Sequence, residues 1–211
     1  MSKSVKVKEK IIEATMNLIS ESNGNIEEIS IRLIAEKVNI GIGLINYHFQ
    51  TKEKLIEVSV DRIIRNVINA FRPEIPPTLS TPIDKLKFKV KMVFDFYVNY
   101  PAVSRISILS DMTNPLDEDN TIKGLLDCSQ TADGLLIPEK QRFLLCFTLI
   151  SVMQTLFLRK DSCKKLFAFD MNNKKERDKS IDLIINNLLG DYEDGKKNND
   201  DTRRKGGKYV K

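Results

Sequence analysis

The sequence predicts an all-α protein, and three observations carry that prediction. Apolar residues recur at three- and four-residue spacing through nearly the whole chain. No stretch alternates apolar and polar residues as a half-buried strand would, and prolines, glycines and capping residues punctuate the periodic runs. With 211 residues and 41% hydrophobic content, the chain has enough apolar surface for a substantial core.

The elements follow in order. A first helix is expected from about Val7 to Glu21, with Ile11, Ile12, Ala14, Thr15, Leu18 and Ile19 on its apolar face and a stop near Asn23-Gly24. Ser30 suits the cap of a short second helix through Val38, because its hydroxyl can accept an unpaired amide of the first turn. Thr51 caps a long helix from Lys52 to about Phe71, where Glu53 favours the positive helix start. The segment RPEIPPTLSTP then places four prolines in eleven residues, which marks a domain boundary. Pro82 opens the next helix, which ends before Pro101; another covers about Ala102 to Met112 and breaks at Thr113-Asn114-Pro115. Further helices are expected over roughly Glu118–Leu136, from Pro138 to about Arg159, and from Lys174 to Leu189 with Gly190 as a stop. From Asp191 onward the chain is polar and nearly devoid of aliphatics, the composition of a disordered tail. The expected partition is 1–50, a connecting helix 51–72, a second domain 73–190 and a tail 191–211.

Between the second helix and the long one lies NIGIGLINYHF, apolar and without a formal positive charge. Ile34, Ala35, Val38, Asn39, Ile40 and Ile45 have the spacing of a helix-turn-helix. Two short helices crossing steeply need a small residue where they touch, which Ala35 supplies. The turn needs a residue that tolerates left-handed backbone, and Asn39 is the best choice short of glycine. Ile34, Val38, Ile40 and Ile45 then face inward against helix one.

Composition narrows the function classes. The formal charge is +5, but residues 1–72 carry a net +2, 73–190 a net +1 and 191–211 a net +2, so no block dominates and charge alone only permits a nucleic-acid partner. The N-terminus lacks the pattern of a signal peptide. The longest charge-free run, Phe143 to Leu158, is shorter than a membrane span needs. Cys128, Cys146 and Cys163 have no short metal-ligand spacing, His48 is the only histidine, and no nucleophile–base pair, paired carboxylates or phosphate-cradling loop is present. No enzyme, metal or cofactor is expected, and a reducing cytoplasm fits.

The pieces KEKIIEATMNLIS, ISIRLIAEKVNI, GIGLINYHF and QTKEKLIE together resemble the N-terminal signature of the TetR family of one-component bacterial regulators, over about residues 8–57. That resemblance implies a three-helix DNA-binding head followed by a helical ligand-binding and dimerisation domain. By position it implies that Ser30 offers its hydroxyl and helix-start amides to a phosphate, and that Arg32 reads a base edge. It further implies that Gly41, Ile42, Leu44 and Asn46 face the groove, that Tyr47 and His48 touch the DNA backbone, and that Lys52 completes the phosphate clamp. Family members commonly carry Ser, Lys or Arg and Thr near positions 41, 42 and 44, and Tyr at 46. Here Gly, Ile, Leu and Asn stand there, so direct polar readout is expected to be sparse.

In the second half, RFLLCFTLISVMQTLFLR is apolar on every side and so needs two buried faces. By resemblance, that helix and the one holding Ile181, Leu183, Ile184, Ile185, Leu188 and Leu189 build a homodimer. Met92, Phe96, Tyr97, Met112, Cys146, Met153, Gln154 and Phe157 are candidates for lining a pocket for an apolar or amphipathic small molecule. The implied function is a homodimeric repressor on a palindromic double-stranded operator, released by such an effector. The competing reading is a helical dimer that binds a ligand or protein partner and whose head no longer recognises an operator.

Overall fold

The computed structural model describes residues 3–22, 24–70 and 74–192, and among these the regular structure is entirely helical. The chain divides into two compact units, one holding the elements up to Pro73 together with Asn99–Pro115, the other holding Glu74–Val98 and the chain from Leu116 on.

In the first unit, α1 (Lys3–Glu21) begins earlier than its apolar face does, because the lysine-rich first turn extends the helix into solvent. Ile11, Ile12, Ala14, Leu18 and Ile19 are buried as the spacing demands, and the Thr15 hydroxyl is satisfied by donating to the Ile11 carbonyl at 2.8 Å. A short 3-10 turn, Ile26–Glu28, follows, and then α2 (Ile31–Val38), α3 (Ile42–Phe49) and α4 (Lys52–Ala70). α4 packs against α1 through Leu55, Ile56, Val60 and Ile63, with an Arg62–Glu9 ion pair at 2.8 Å along the seam. The expected stops at Asn23 and Phe71 fall on residues outside those described.

α6 (Pro101–Thr113) joins this unit, although the proline-rich boundary had grouped it with the C-terminal domain. The reason is packing. Ala102, Val103, Ile106 and Ile108 are buried, and α6 lies against α1 and α4. Gly24 fixes the approach, since its φ of 84° disfavours a side chain, and an added Cβ would sit 3.0 Å from Arg105 Cδ and 3.3 Å from the Ala102 Cα. Nothing in the local sequence of α6 announces that long-range contact.

The second unit contains α5 (Pro82–Asn99), α7 (Asn120–Thr131), α8 (Glu139–Leu158), α9 (Lys160–Phe167) and α10 (Lys174–Leu189). Phe94, Leu86, Leu149, Met153, Ile181, Ile185 and Leu189 form its core. α7 is shorter than expected. It ends at Thr131, with Ala132 as its C-cap, and a turn brings Gly134 so close to Pro82 that an added Cβ would lie 2.8 Å from the ring Cγ. α9 was not anticipated; it buries Cys163 and follows α8 directly after Arg159, with no proline or glycine to mark a new start. Gly190 is no left-handed stop. Its φ of −58° lets the helix tighten into a 3-10 turn, Gly190–Tyr192, whose Tyr192 is buried with its hydroxyl accepting from Gln141 Nε2 at 2.7 Å. Asp191 and Tyr192 therefore belong to the folded unit, and the remainder of the expected tail lies outside the described residues.

One polar cluster ties α5 to α10. Arg177, only 4% exposed, donates to Asp95 Oδ1 and to the Met171 carbonyl at 2.9 Å, and lies over the Phe94 ring at 5.8 Å. Lys174 donates to the other Asp95 oxygen at 2.7 Å. Burial alone would raise the Asp95 carboxyl, but hydrogen bonds from Lys174 and Arg177 outweigh it and hold that carboxyl below the usual range.

Candidate nucleic-acid interface

Local chemistry sets the geometry of α2 and α3. Ser30 Oγ accepts the Leu33 N–H at 3.1 Å, which fixes where α2 begins and leaves the hydroxyl proton on an exposed helix start. Ile34 and Ala35 are buried against α1 and α3. Asn39 then adopts φ 55° and ψ 55°, the left-handed conformation expected of it, and the Ile40 N–H closes the turn on the Ala35 carbonyl at 3.0 Å. α3 buries only Ile45 and Phe49, one turn apart. Val38 and Ile40 are half-buried rather than fully inward. Lys8 of α1 stands 5.6 Å from the centroid of the Phe49 ring, a cation–π contact.

The outer side of α3 is open. Gly41, Ile42, Gly43, Leu44, Asn46 and Tyr47 are all exposed. His48 is half-buried, with its ring 5.2 Å from Tyr47 in an edge-on arrangement. Arg32 is exposed on α2 and, among the described residues, forms no ion pair with Glu28 or Glu36. Glu28 instead accepts from Asn25 Nδ2 at 2.8 Å. A shallow surface hollow joins Arg32, Ala35 and Glu36 of α2 to the turn and to Gly41 and Ile42. Glu36 was not among the candidates from sequence, though its position four residues after Arg32 was the available signal.

Lys52 has a definite partner. Its Nζ donates to the Ile26 carbonyl at 3.3 Å and braces the 3-10 turn against the start of α4, while the Thr51 hydroxyl caps that helix by accepting the Lys54 N–H at 3.1 Å. That bond uses one of the three ammonium donors and leaves two for a phosphate.

Residues 11–58 match the family described as bacterial regulatory proteins, tetR family. The N-terminal segment belongs to the TetR family. Residues 11–58 accordingly form a TetR-type DNA-binding head, and the chain is similar to TetR-type transcriptional regulators. Among solved structures, one reported as the molecular basis for control of antibiotic production by bacterial hormones matches with TM-score 0.56 and 17% identity, covering 90% of this chain and 99% of that one. A tetR-family transcriptional regulator from Streptomyces coelicolor matches with TM-score 0.50 and 18% identity, covering 97% of each chain. These likenesses extend the TetR-like fold over the helical C-terminal region. No curated protein matches the chain.

Seven of the eight pocket candidates fall in the second unit, and Met112 does not. It lies on α6 of the first unit, 51% exposed. Tyr97 of α5 packs 5.3 Å from Phe157 of α8 with the rings tilted by 41°, and Phe96 lies 6.5 Å from Tyr97. Gln154 is buried and donates to Thr121 Oγ1 at 2.8 Å, so its amide already has a protein partner. Met153 is buried beside it on α8, and Met92 is half-buried on α5. Cys146 is buried beside Cys128 of α7, and the hydrogen bond between these thiols, together with burial, pushes the Cys128 thiol well up, keeping it protonated and unreactive.

α8 is long and apolar enough by length and composition to cross a membrane, since its helix extends past the charge-free run to Glu139. Only 28% of its apolar window is buried within the chain. Cys146, Leu149, Met153 and Phe157 face inward, whereas Leu144 (64% exposed) and Phe147 (45%) on α8, and Leu183 on α10, do not.

Proposed function

We propose that this TetR-type regulator is a homodimeric repressor that binds a palindromic double-stranded operator and is released by a small apolar or amphipathic effector. The observation that carries the DNA-binding part is the pairing of a left-handed turn at Asn39 with an open outer face on α3 and an exposed Arg32 beside it that forms no ion pair among the described residues. In this reading Ser30 and the first amides of α2 hold a phosphate, and Arg32 forms a bidentate pair with guanine. Gly41, Ile42, Leu44 and Asn46 enter the groove, while Tyr47, His48 and Lys52 hold the backbone. The exposed apolar residues of α8 and α10 meet their two-fold equivalents, which supplies the second buried face that α8 needs. Two heads then address half-sites about 34–36 Å apart, or a multiple of that distance.

Met92, Phe96, Tyr97, Cys146, Met153, Gln154 and Phe157 are the residues we propose to surround the effector. Release requires the effector to bind more tightly to the arrangement of the dimer that does not fit the operator. The reading places the protein in the cytoplasm and asks no catalysis or cofactor of it. Gel-shift titration against DNA flanking its own gene tests it. Specific retention is expected at moderate salt, and Arg32→Ala lowers affinity roughly 10-fold or more, in line with about 1–3 kcal/mol for a bidentate base pair. Absence of specific retention on both flanks refutes it. The uncharged outer face of α3 favours a second reading, a dimer that binds ligand or protein without an operator, and in that case Arg32→Ala leaves activity unchanged.

A further inference from the structure

The sequence that the head selects can be argued from the surface of α3, an inference that rests on the DNA-binding reading above. Successive residues of a helix are turned by about 100°, so the position opposite the buried Ile45 is Gly43. Gly43 therefore forms the crest of the exposed face, with Ile42 on one side and Leu44 on the other. A Cβ added at Gly41 or Gly43 would meet nothing within 4 Å. The crest is bare backbone, which allows close approach to the floor of a groove.

Ile42 (42% exposed) and Leu44 (38%) both lie in the first turn of α3. Side chains lean toward a helix's N-terminus, and the N-terminal residues of a recognition helix are those that reach base edges. Neither side chain can donate or accept a hydrogen bond. Every base pair, T·A included, presents polar major-groove groups that lose water under an aliphatic cover, which is costly, so only an added apolar contact can favour one pair over another. The 5-methyl of thymine is the one apolar group on the major-groove edge.

We propose that Ile42 and Leu44 select thymines through their 5-methyl groups, so that each half-site holds T·A pairs beneath α3. Arg32, which lines the same hollow as Ile42, places a G·C pair at the border of those thymines.

Selection of the full-length chain on a random-sequence duplex library, followed by thymine-to-uracil replacement in the enriched duplex, tests the proposal. Uracil removes only the methyl and leaves every base-pairing group in place. Thymine-bearing half-sites are expected, with about fourfold weaker binding for each contacted methyl removed. In the double variant Ile42→Ala/Leu44→Ala, whose changed side chains are exposed and outside the core, thymine and uracil duplexes should bind equally. Enriched sites that bind as well with uracil, or a uracil penalty that survives in the double variant, overturn the proposal while leaving DNA binding intact. No enrichment of any sequence overturns the DNA-binding reading, and this proposal with it.

Discussion

At the residue scale, Asn39 decides the direction of the chain between α2 and α3. Its backbone sits in a region that costs an ordinary L-residue about 1–2 kcal/mol, and asparagine tolerates it better than a branched residue does. Asn39→Val should therefore lower the melting temperature by roughly 3–6 °C, whereas Asn39→Gly should leave it nearly unchanged. A thermal melt of both variants checks this, and equal losses would mean that the Asn39 side chain matters for another reason. Ser30, Asn39 and Thr51 were legible in the sequence because caps and left-handed turns are local chemistry. The partner of Lys52 was not, because the Ile26 carbonyl comes from a 3-10 turn 26 residues earlier.

At the element scale, Asp95 and Arg177 join α5 to α10 across 82 residues of sequence. Removing the carboxylate leaves a guanidinium buried without its ionic partner, so Asp95→Ala should cost about 3 kcal/mol at neutral pH. The sign of its pH dependence follows from the lowered carboxyl. Asp95 binds its proton less readily when folded, so its stabilisation is complete above about pH 4, the ordinary carboxylate range, and is lost as the pH falls through the lower folded value. At the other end, the hydrogen bond to Asp95 raises the Lys174 ammonium, whose contribution fades only as the pH rises through that raised value. Urea unfolding of wild type and Asp95→Ala should thus differ fully at pH 7 and progressively less below pH 4. A difference that persists unchanged into strong acid would refute the assignment. Helix α9 is missed for a different reason: it follows α8 at Arg159 with no proline or glycine between them, so no break announces a second helix.

At the scale of the whole molecule, α8 and α10 leave Leu144, Phe147 and Leu183 uncovered. If a second copy covers them, Leu144→Glu with Phe147→Glu should shift the protein to monomer in sedimentation at micromolar concentration and abolish operator binding, which needs two heads. Retention of the dimer in that variant would place the interface elsewhere. The grouping of α6 with the N-terminal helices belongs to this scale as well. The proline-rich segment is a change of composition, and a linker of that kind does not dictate which core a later helix joins.

What the sequence determined by itself was the helical class, the caps, the left-handed turn and the inward register of Ile34 and Ile45, because each depends on residues within a few positions of one another. The tertiary structure alone decided that α6 packs with α1 and α4, that Lys52 braces a distant carbonyl, that Arg177 finds Asp95 and that Tyr192 closes the second unit. Those outcomes are contacts between surfaces far apart along the chain, and pairings of that kind leave no periodic trace in either partner.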